Sequence, residues 1–166
     1  MAKKTTQYDD YFDDDEEGKC PRLNPSMVRA AEKSLGYRLP VAYVDLLNVR
    51  NGGYLKRNFF PTTKCPRWAD DHIEIRDVMG IGKEGIDDKH GSKYLIAEWD
   101  YPDVGVVISS EGHTAFMLDY SKCGKEGEPC VIWIDVETAD KGPNVVVLAP
   151  DFTSFLAKLR VPPEDD

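Results

Sequence analysis

Gly80, Gly82 and Gly85 stand at the spacing G-x-G-x-x-G, directly after the alternating run His72-Ile73-Glu74-Ile75-Arg76. A loop of this kind can hold the pyrophosphate of a dinucleotide on its backbone N–H groups. That chemistry also needs a helix starting inside the motif, a parallel crossover unit, and an acidic residue about 20 positions on. After Gly85 the chain runs Ile86-Asp87-Asp88-Lys89-His90-Gly91, which leaves room for about one helical turn. Glu98 and Asp100 follow, but acids are abundant throughout the chain. Lys83 is not in a Walker arrangement. The glycines therefore read as a bend at a strand end, where the backbone passes close to a neighbour.

The other residue types that could do chemistry are scattered. Cys20, Cys65, Cys123 and Cys130 form no C-x-x-C pair, and His72, His90 and His113 lie apart from one another. Structural zinc sites show close ligand pairs, so neither a metal nor another cofactor is expected. No G-x-S-x-G, H-E-x-x-H or cysteine-nucleophile signature occurs, and no enzymatic activity is expected.

Binding is better represented than catalysis. Two clusters set an aromatic among acids: Trp68 with Asp70 and Asp71, and Trp99-Asp100-Tyr101-Pro102-Asp103. An exposed aromatic flanked by carboxylates suits an anchor for a basic protein partner. Trp99 and Tyr101 are equally readable as core residues at a strand end. Asp119 and Tyr120 end a strand and extend the candidate surface, although Asp119 also suits a turn cap. Trp133 alternates within an apolar run and reads as core.

The elements that must position these groups are legible in outline. In residues 24–36, Asn24 suits an N-cap, Pro25 the first helical position and Gly36 a left-handed stop. A second helix begins at Pro40, presents Tyr43, Leu46 and Leu47 on one face, and ends at Asn51-Gly52-Gly53. Short β-branched or aromatic runs follow at Val104–Ile108, Ala115–Leu118, Val131–Val136 and Val145–Leu148, with Lys93–Ala97 as a weaker strand. Loops this short join antiparallel strands. Asp151 then caps a last helix whose stripe is Phe152, Phe155, Leu156 and Leu159. The expected fold is α+β: an antiparallel meander with helices packed on one face.

The chain has 166 residues, 41% hydrophobic and 31% charged, with a net charge of −9. That suits one soluble domain and excludes a general nucleic-acid binder, which needs a basic surface. No membrane span is expected. No apolar segment follows Met1-Ala2-Lys3-Lys4-Thr5-Thr6, so the cytoplasm is the expected compartment. The run Asp9-Asp10-Tyr11-Phe12-Asp13-Asp14-Asp15-Glu16-Glu17 repels itself, so residues 1–19 are expected as a mobile acidic tail ahead of one domain over 20–166. Such a tail can solubilise, or reach for a basic partner.

The stretch "LPVAYVDLLNVRNGGYL" resembles the opening signature of the SMI1/KNR4 family, also called the SUKH superfamily. The matching residues are Leu39, Pro40, Tyr43, Leu46, Leu47, Asn51, Gly52 and Gly53. A strand ending in Gly80-Ile81-Gly82, the strand "FMLDY", the strand "VIWIDVE" and the helix "DFTSFLAKL" follow in the family's order. The resemblance covers roughly residues 24–160 and implies an α+β fold and a non-catalytic, protein-binding role. In bacteria it implies an immunity protein against a cognate toxin, often a nuclease with a basic cleft. In fungi it implies a regulatory scaffold. It also implies that the glycines are the family's strand-end turn.

Overall fold

In the computed structural model, residues 7–14, 20–65, 67–137 and 142–164 are described. Helix α1 spans Pro25–Leu35. Asn24 Oδ1 accepts the Met27 N–H at 3.0 Å, and Gly36 closes the helix at φ 81°. Helix α2 spans Val41–Val49 and follows Pro40. Its buried face is Ala42, Tyr43, Leu46 and Leu47. Four short strands come next: β1 (Gly53–Tyr54), β2 (Phe59–Pro61), β3 (His72–Glu74) and β4 (Asp77–Val78). They pair antiparallel as β1–β4 and β2–β3.

The main sheet is a four-stranded antiparallel meander. Strand β5 spans Gly105–Ser110, β6 Thr114–Asp119, β7 Cys130–Asp135 and β8 Asn144–Ala149. Successive strands are neighbours because their connections are too short to cross the sheet. The last helix, α4, spans Phe152–Lys158, with Asp151 Oδ1 accepting the Ser154 N–H at 2.7 Å.

Period-2 alternation divides the sheet into two faces. Val106, Ile108, Phe116, Leu118, Val131 and Trp133 meet α1, α2 and α4 in the main core. Val107, Ala115, Met117, Ile132 and Ile134 point the other way, into a smaller cluster with Tyr101. That second face is covered in part by helix α3, Ser92–Trp99. A strand was expected over Lys93–Ala97; the chain is helical there. The run Tyr94-Leu95-Ile96-Ala97 is too short for its period to separate helix from strand. What decides is that Leu95, Ile96 and Trp99 face the sheet together. Ser92 Oγ also accepts the Val107 N–H at 2.8 Å, which satisfies a donor on β5.

The acidic segment also departs from expectation. Within residues 7–14, Tyr8, Tyr11 and Phe12 are buried in the main core, so this part is packed rather than loose. Residues 1–6 and 15–19 lie outside the described residues. The charge density of the run predicted repulsion, but Tyr11 and Phe12 within it and Tyr8 just before it supply enough apolar surface to hold residues 7–14 down.

Candidate functional site

The glycine loop was the first chemical candidate, and its geometry rules out a phosphate cradle. The Ile81 N–H donates to Asn51 Oδ1 (2.8 Å), the Gly82 N–H to Asp87 Oδ1 (2.8 Å), and the Glu84 N–H to Asp88 Oδ2 (2.7 Å). The donors a phosphate would need are therefore already used by side chains, two of them anionic. Helix α3 begins at Ser92, beyond the motif. The glycines are required by close approach instead. A Cβ on Gly80 would overlap the Asn51 carbonyl, one on Gly85 would overlap the Gly80 carbonyl, and Gly82 sits at φ 103°. Tyr43, fully buried, donates its hydroxyl to the Met79 carbonyl at the entrance to the same turn.

The cysteines make no built site. All four are free thiols, and among the described residues no group of three or more His, Cys, Asp or Glu stands together to hold a metal ion. Burial pushes the Cys65 thiol up to about 11 and also raises Cys20. Thiolate is the reactive form, so these two should be inert at pH 8. With a chromogenic disulfide reagent, exposed Cys123 should react first, and Cys20 and Cys65 only on unfolding. Rapid modification of all four in the folded chain would contradict this.

The tryptophans of the two aromatic–acidic clusters arrive at one end of the main sheet, beside the β5–β6 turn. Trp68 is 40% exposed. With Arg67, Glu111, His113, Thr114, Trp133, Asp135 and Glu137 it lines a groove of about 220 Å³. Asp135 is buried and pairs with Arg67 at 3.7 Å, while Arg76 pairs with Glu111 at 3.8 Å. Asp70 and Asp71 follow Trp68 on the exposed surface, and Asp71 Oδ1 meets His72 Nδ1 at 2.8 Å.

Trp99 reaches the same end from the other face of the sheet. It is the last residue of α3, not a loop residue, and it is half-buried. Its ring lies over Gly112, where any Cβ would strike it, and meets His113 edge-on at 5.4 Å between centroids. His113 thus stands between Trp68's groove and the Trp99 ring. Asp100 is exposed and ends α3 in the left-handed conformation, φ 57°.

Two expected anchors are turned inward. Tyr101 is buried; its hydroxyl donates to the Gly112 carbonyl and meets Ser110 Oγ at 2.8 Å. Tyr120 is buried as well and donates to the Arg38 carbonyl at 2.6 Å. Neither ring is available as a contact. Asp119 takes the alternative role foreseen for it, as its Oδ1 accepts the Ser121 N–H at 2.8 Å. It lies at the opposite end of the sheet, opposite Gly105 in the register. Asp103 is exposed and lies near Tyr37 in the same region as Asp119. The candidate residues therefore form two groups, not one surface.

Glu111, His113 and Glu137 belong to the groove but carried no sequence signal. Each sits in or just past a strand-end turn, and only the pairing of β6 with β5 and β7 brings those turns together.

Fold and site together define a small α+β domain with an acidic, tryptophan-lined groove at one sheet end. The chain belongs to the SMI1 / KNR4 family (SUKH-1), whose model matches residues 22–158. This bears out the resemblance drawn from residues 24–160. No match was found among curated proteins. Among the described residues, no helix is long and apolar enough to cross a membrane.

Proposed function

We propose that this protein is a non-catalytic, cytoplasmic binding domain, and that it acts as an immunity protein that occupies and neutralises a basic toxin domain. Family membership supports a protein-interaction role of immunity type. The observation that carries the reading further is the groove itself. Exposed Trp68 and buried Trp133 line it with Glu111, Asp135 and Glu137, of which Asp135 pairs with Arg67 and Glu111 with Arg76, while Glu137 is exposed. Arg and Lys side chains of a partner gain there from both the carboxylates and the aromatic faces. A nuclease toxin presents such side chains because its cleft must hold phosphate. The −9 charge would speed that encounter at low salt. Asp70, Asp71 and Asp100 form the outer rim of the interface.

The test uses the tagged 166-residue chain as bait in the source organism, at low and raised salt. One basic, toxin-sized polypeptide should be recovered, with capture weakened by salt. Trp68→Ala with Glu137→Gln should lower its affinity at least about tenfold, because a central aromatic is a typical hot spot. The melting temperature should barely move, since both side chains are exposed. Recovery of several regulatory proteins instead would favour a scaffold of the kind found in the same family. Full affinity in the folded double variant would remove the groove from the interface.

A further inference from the structure

Residues 7–14 read Gln-Tyr-Asp-Asp-Tyr-Phe-Asp-Asp, with four acids and no base. They lie outside the span matched by the family model, 22–158. They are nevertheless held on the domain in the manner of a bound peptide. Phe12 bridges antiparallel to Leu55 beside β1. The Asp13 N–H donates to the Tyr54 carbonyl at 3.0 Å, and the Lys56 N–H to the Tyr11 carbonyl at 2.9 Å. Main-chain bonds of this kind are how an extended peptide adds to a strand edge.

The side chains add charge and aromatic recognition. The Arg57 guanidinium pairs with Asp10 and lies 4.9 Å from the centre of the Tyr11 ring. Arg50 donates to the Asp13 carbonyl at 2.8 Å and lies 5.6 Å from the Phe12 ring. The Tyr11 hydroxyl reaches over to the Leu156 carbonyl at 2.8 Å. Arg57 Nε is enclosed and finds no acceptor among the described residues, so the guanidinium keeps a donor that residues 7–14 do not use. On a chain of net charge −9, this cleft is locally basic and is neutralised by a segment of the same chain.

We infer that residues 8–13 are a ligand in cis, and that the cleft beneath them is a second protein-interaction site. Arg50, Tyr54, Leu55, Arg57 and Leu156 form it. Its occupant is an acidic segment with adjacent aromatics, turned at residues 8–11 and paired to the domain through Phe12 and Asp13, supplied here by the chain itself and replaceable by a partner's segment of the same chemistry. The cleft shares none of these residues with the Trp68 groove, although Arg76 lies over Tyr54 and pairs with Glu111, and it does not depend on the toxin reading.

Two measurements on the 166-residue chain test this. The first is amide hydrogen exchange in wild type and in Arg57→Glu. Exchange at residues 11, 13, 56 and 57, whose N–H groups bond within or to the segment, should speed at least about tenfold in the variant while β5–β8 stay protected, as expected for an independent unit. The second uses Tyr11→Ser with Phe12→Ser, in which the segment cannot dock. A synthetic peptide of residues 7–14 should bind this variant saturably, more weakly at raised salt and more weakly still with Arg57→Glu added. A peptide with both aromatics replaced by serine should not bind. Three results would overturn the inference: unchanged exchange in Arg57→Glu, loss of protection across the sheet in either variant, or no saturable binding of the peptide.

Discussion

Asn51→Ala is expected to lower the free energy of unfolding by about 3–4 kcal/mol, since each buried polar group left without a partner costs about 1–3 kcal/mol. The side chain is 2% exposed and makes three hydrogen bonds. Its Nδ2 donates to the Pro21 carbonyl at 2.6 Å and to the Ile81 carbonyl at 2.8 Å, and its Oδ1 accepts the Ile81 N–H at 2.8 Å. One amide thus joins the segment before α1, the end of α2 and the glycine turn. Its own backbone carbonyl accepts the Cys20 N–H at 2.7 Å. The close approach that bars a Cβ from Gly80 is to this same carbonyl. Alanine leaves the Ile81 N–H and the Ile81 carbonyl without their partner inside the turn. Urea unfolding at neutral pH measures the loss directly. A change below about 1 kcal/mol would mean that the turn rearranges freely and that Asn51 is not its clamp. The mechanism predicts where the damage falls: exchange should rise first at Ile81, Gly82 and Cys20, and last in β5–β8.

Phe155→Ala should cost about the same, on the order of 3–5 kcal/mol, for a different reason. Phe155 is 1% exposed at the centre of an aromatic cluster. Its ring stacks on Phe60 at 5.1 Å and on Phe152 at 5.8 Å, and meets Phe116 at 6.1 Å. Phe60 belongs to the small β2–β3 sheet, Phe116 to the main sheet and Phe152 to α4. Removing the ring therefore opens a cavity where three elements meet, and relaxation toward one neighbour draws it from the others. A fall in melting temperature of roughly 6–15 °C is expected for a domain of this size. Phe155→Leu, which keeps most of the volume, should recover more than half of the loss. If alanine and leucine behave alike, the cluster is not packed as described. Double variants with Asn51→Ala should be near additive, because the two sites share no partner.

These two residues show unequal legibility. Phe155 could be read from the sequence: Phe152, Phe155, Leu156 and Leu159 recur at helical spacing after a capping Asp151, and a helix needs no knowledge of its neighbours to declare its buried face. The strands of the meander were legible for the same reason. Asn51 was visible as part of the Asn-Gly-Gly signature, but only as a helix stop. Its clamp on Ile81 joins positions 30 residues apart, and no local pattern encodes a hydrogen bond over that distance.

The candidate site divides in the same way. Trp68 was singled out because it stands close to Asp70 and Asp71, and its ring is indeed exposed. Trp99 and Tyr101 carried the same composition, yet one covers Gly112 at the end of a helix and the other is buried beneath the β5–β6 turn. Composition reports which side chains are present, while burial depends on what packs over them. Glu111, His113 and Glu137 were silent, since strand-end turns become neighbours only when strands pair. The acidic segment is the sharpest case. Charge density alone set its expected behaviour, and the aromatics within it found Leu55, Leu156 and two arginines that the sequence places 38 or more positions away.

By itself, then, the sequence determined helices α1, α2 and α4 and the antiparallel order of the main strands, because each rests on short-range periodicity and turn chemistry, and its ordered motifs carried the resemblance to the family. Tertiary structure alone decided that Lys93–Ala97 is helical, which aromatics face water, and where residues 7–14 lie. Those outcomes depend on apolar area and charge contributed by distant segments, and such terms exist only once the chain has closed on itself.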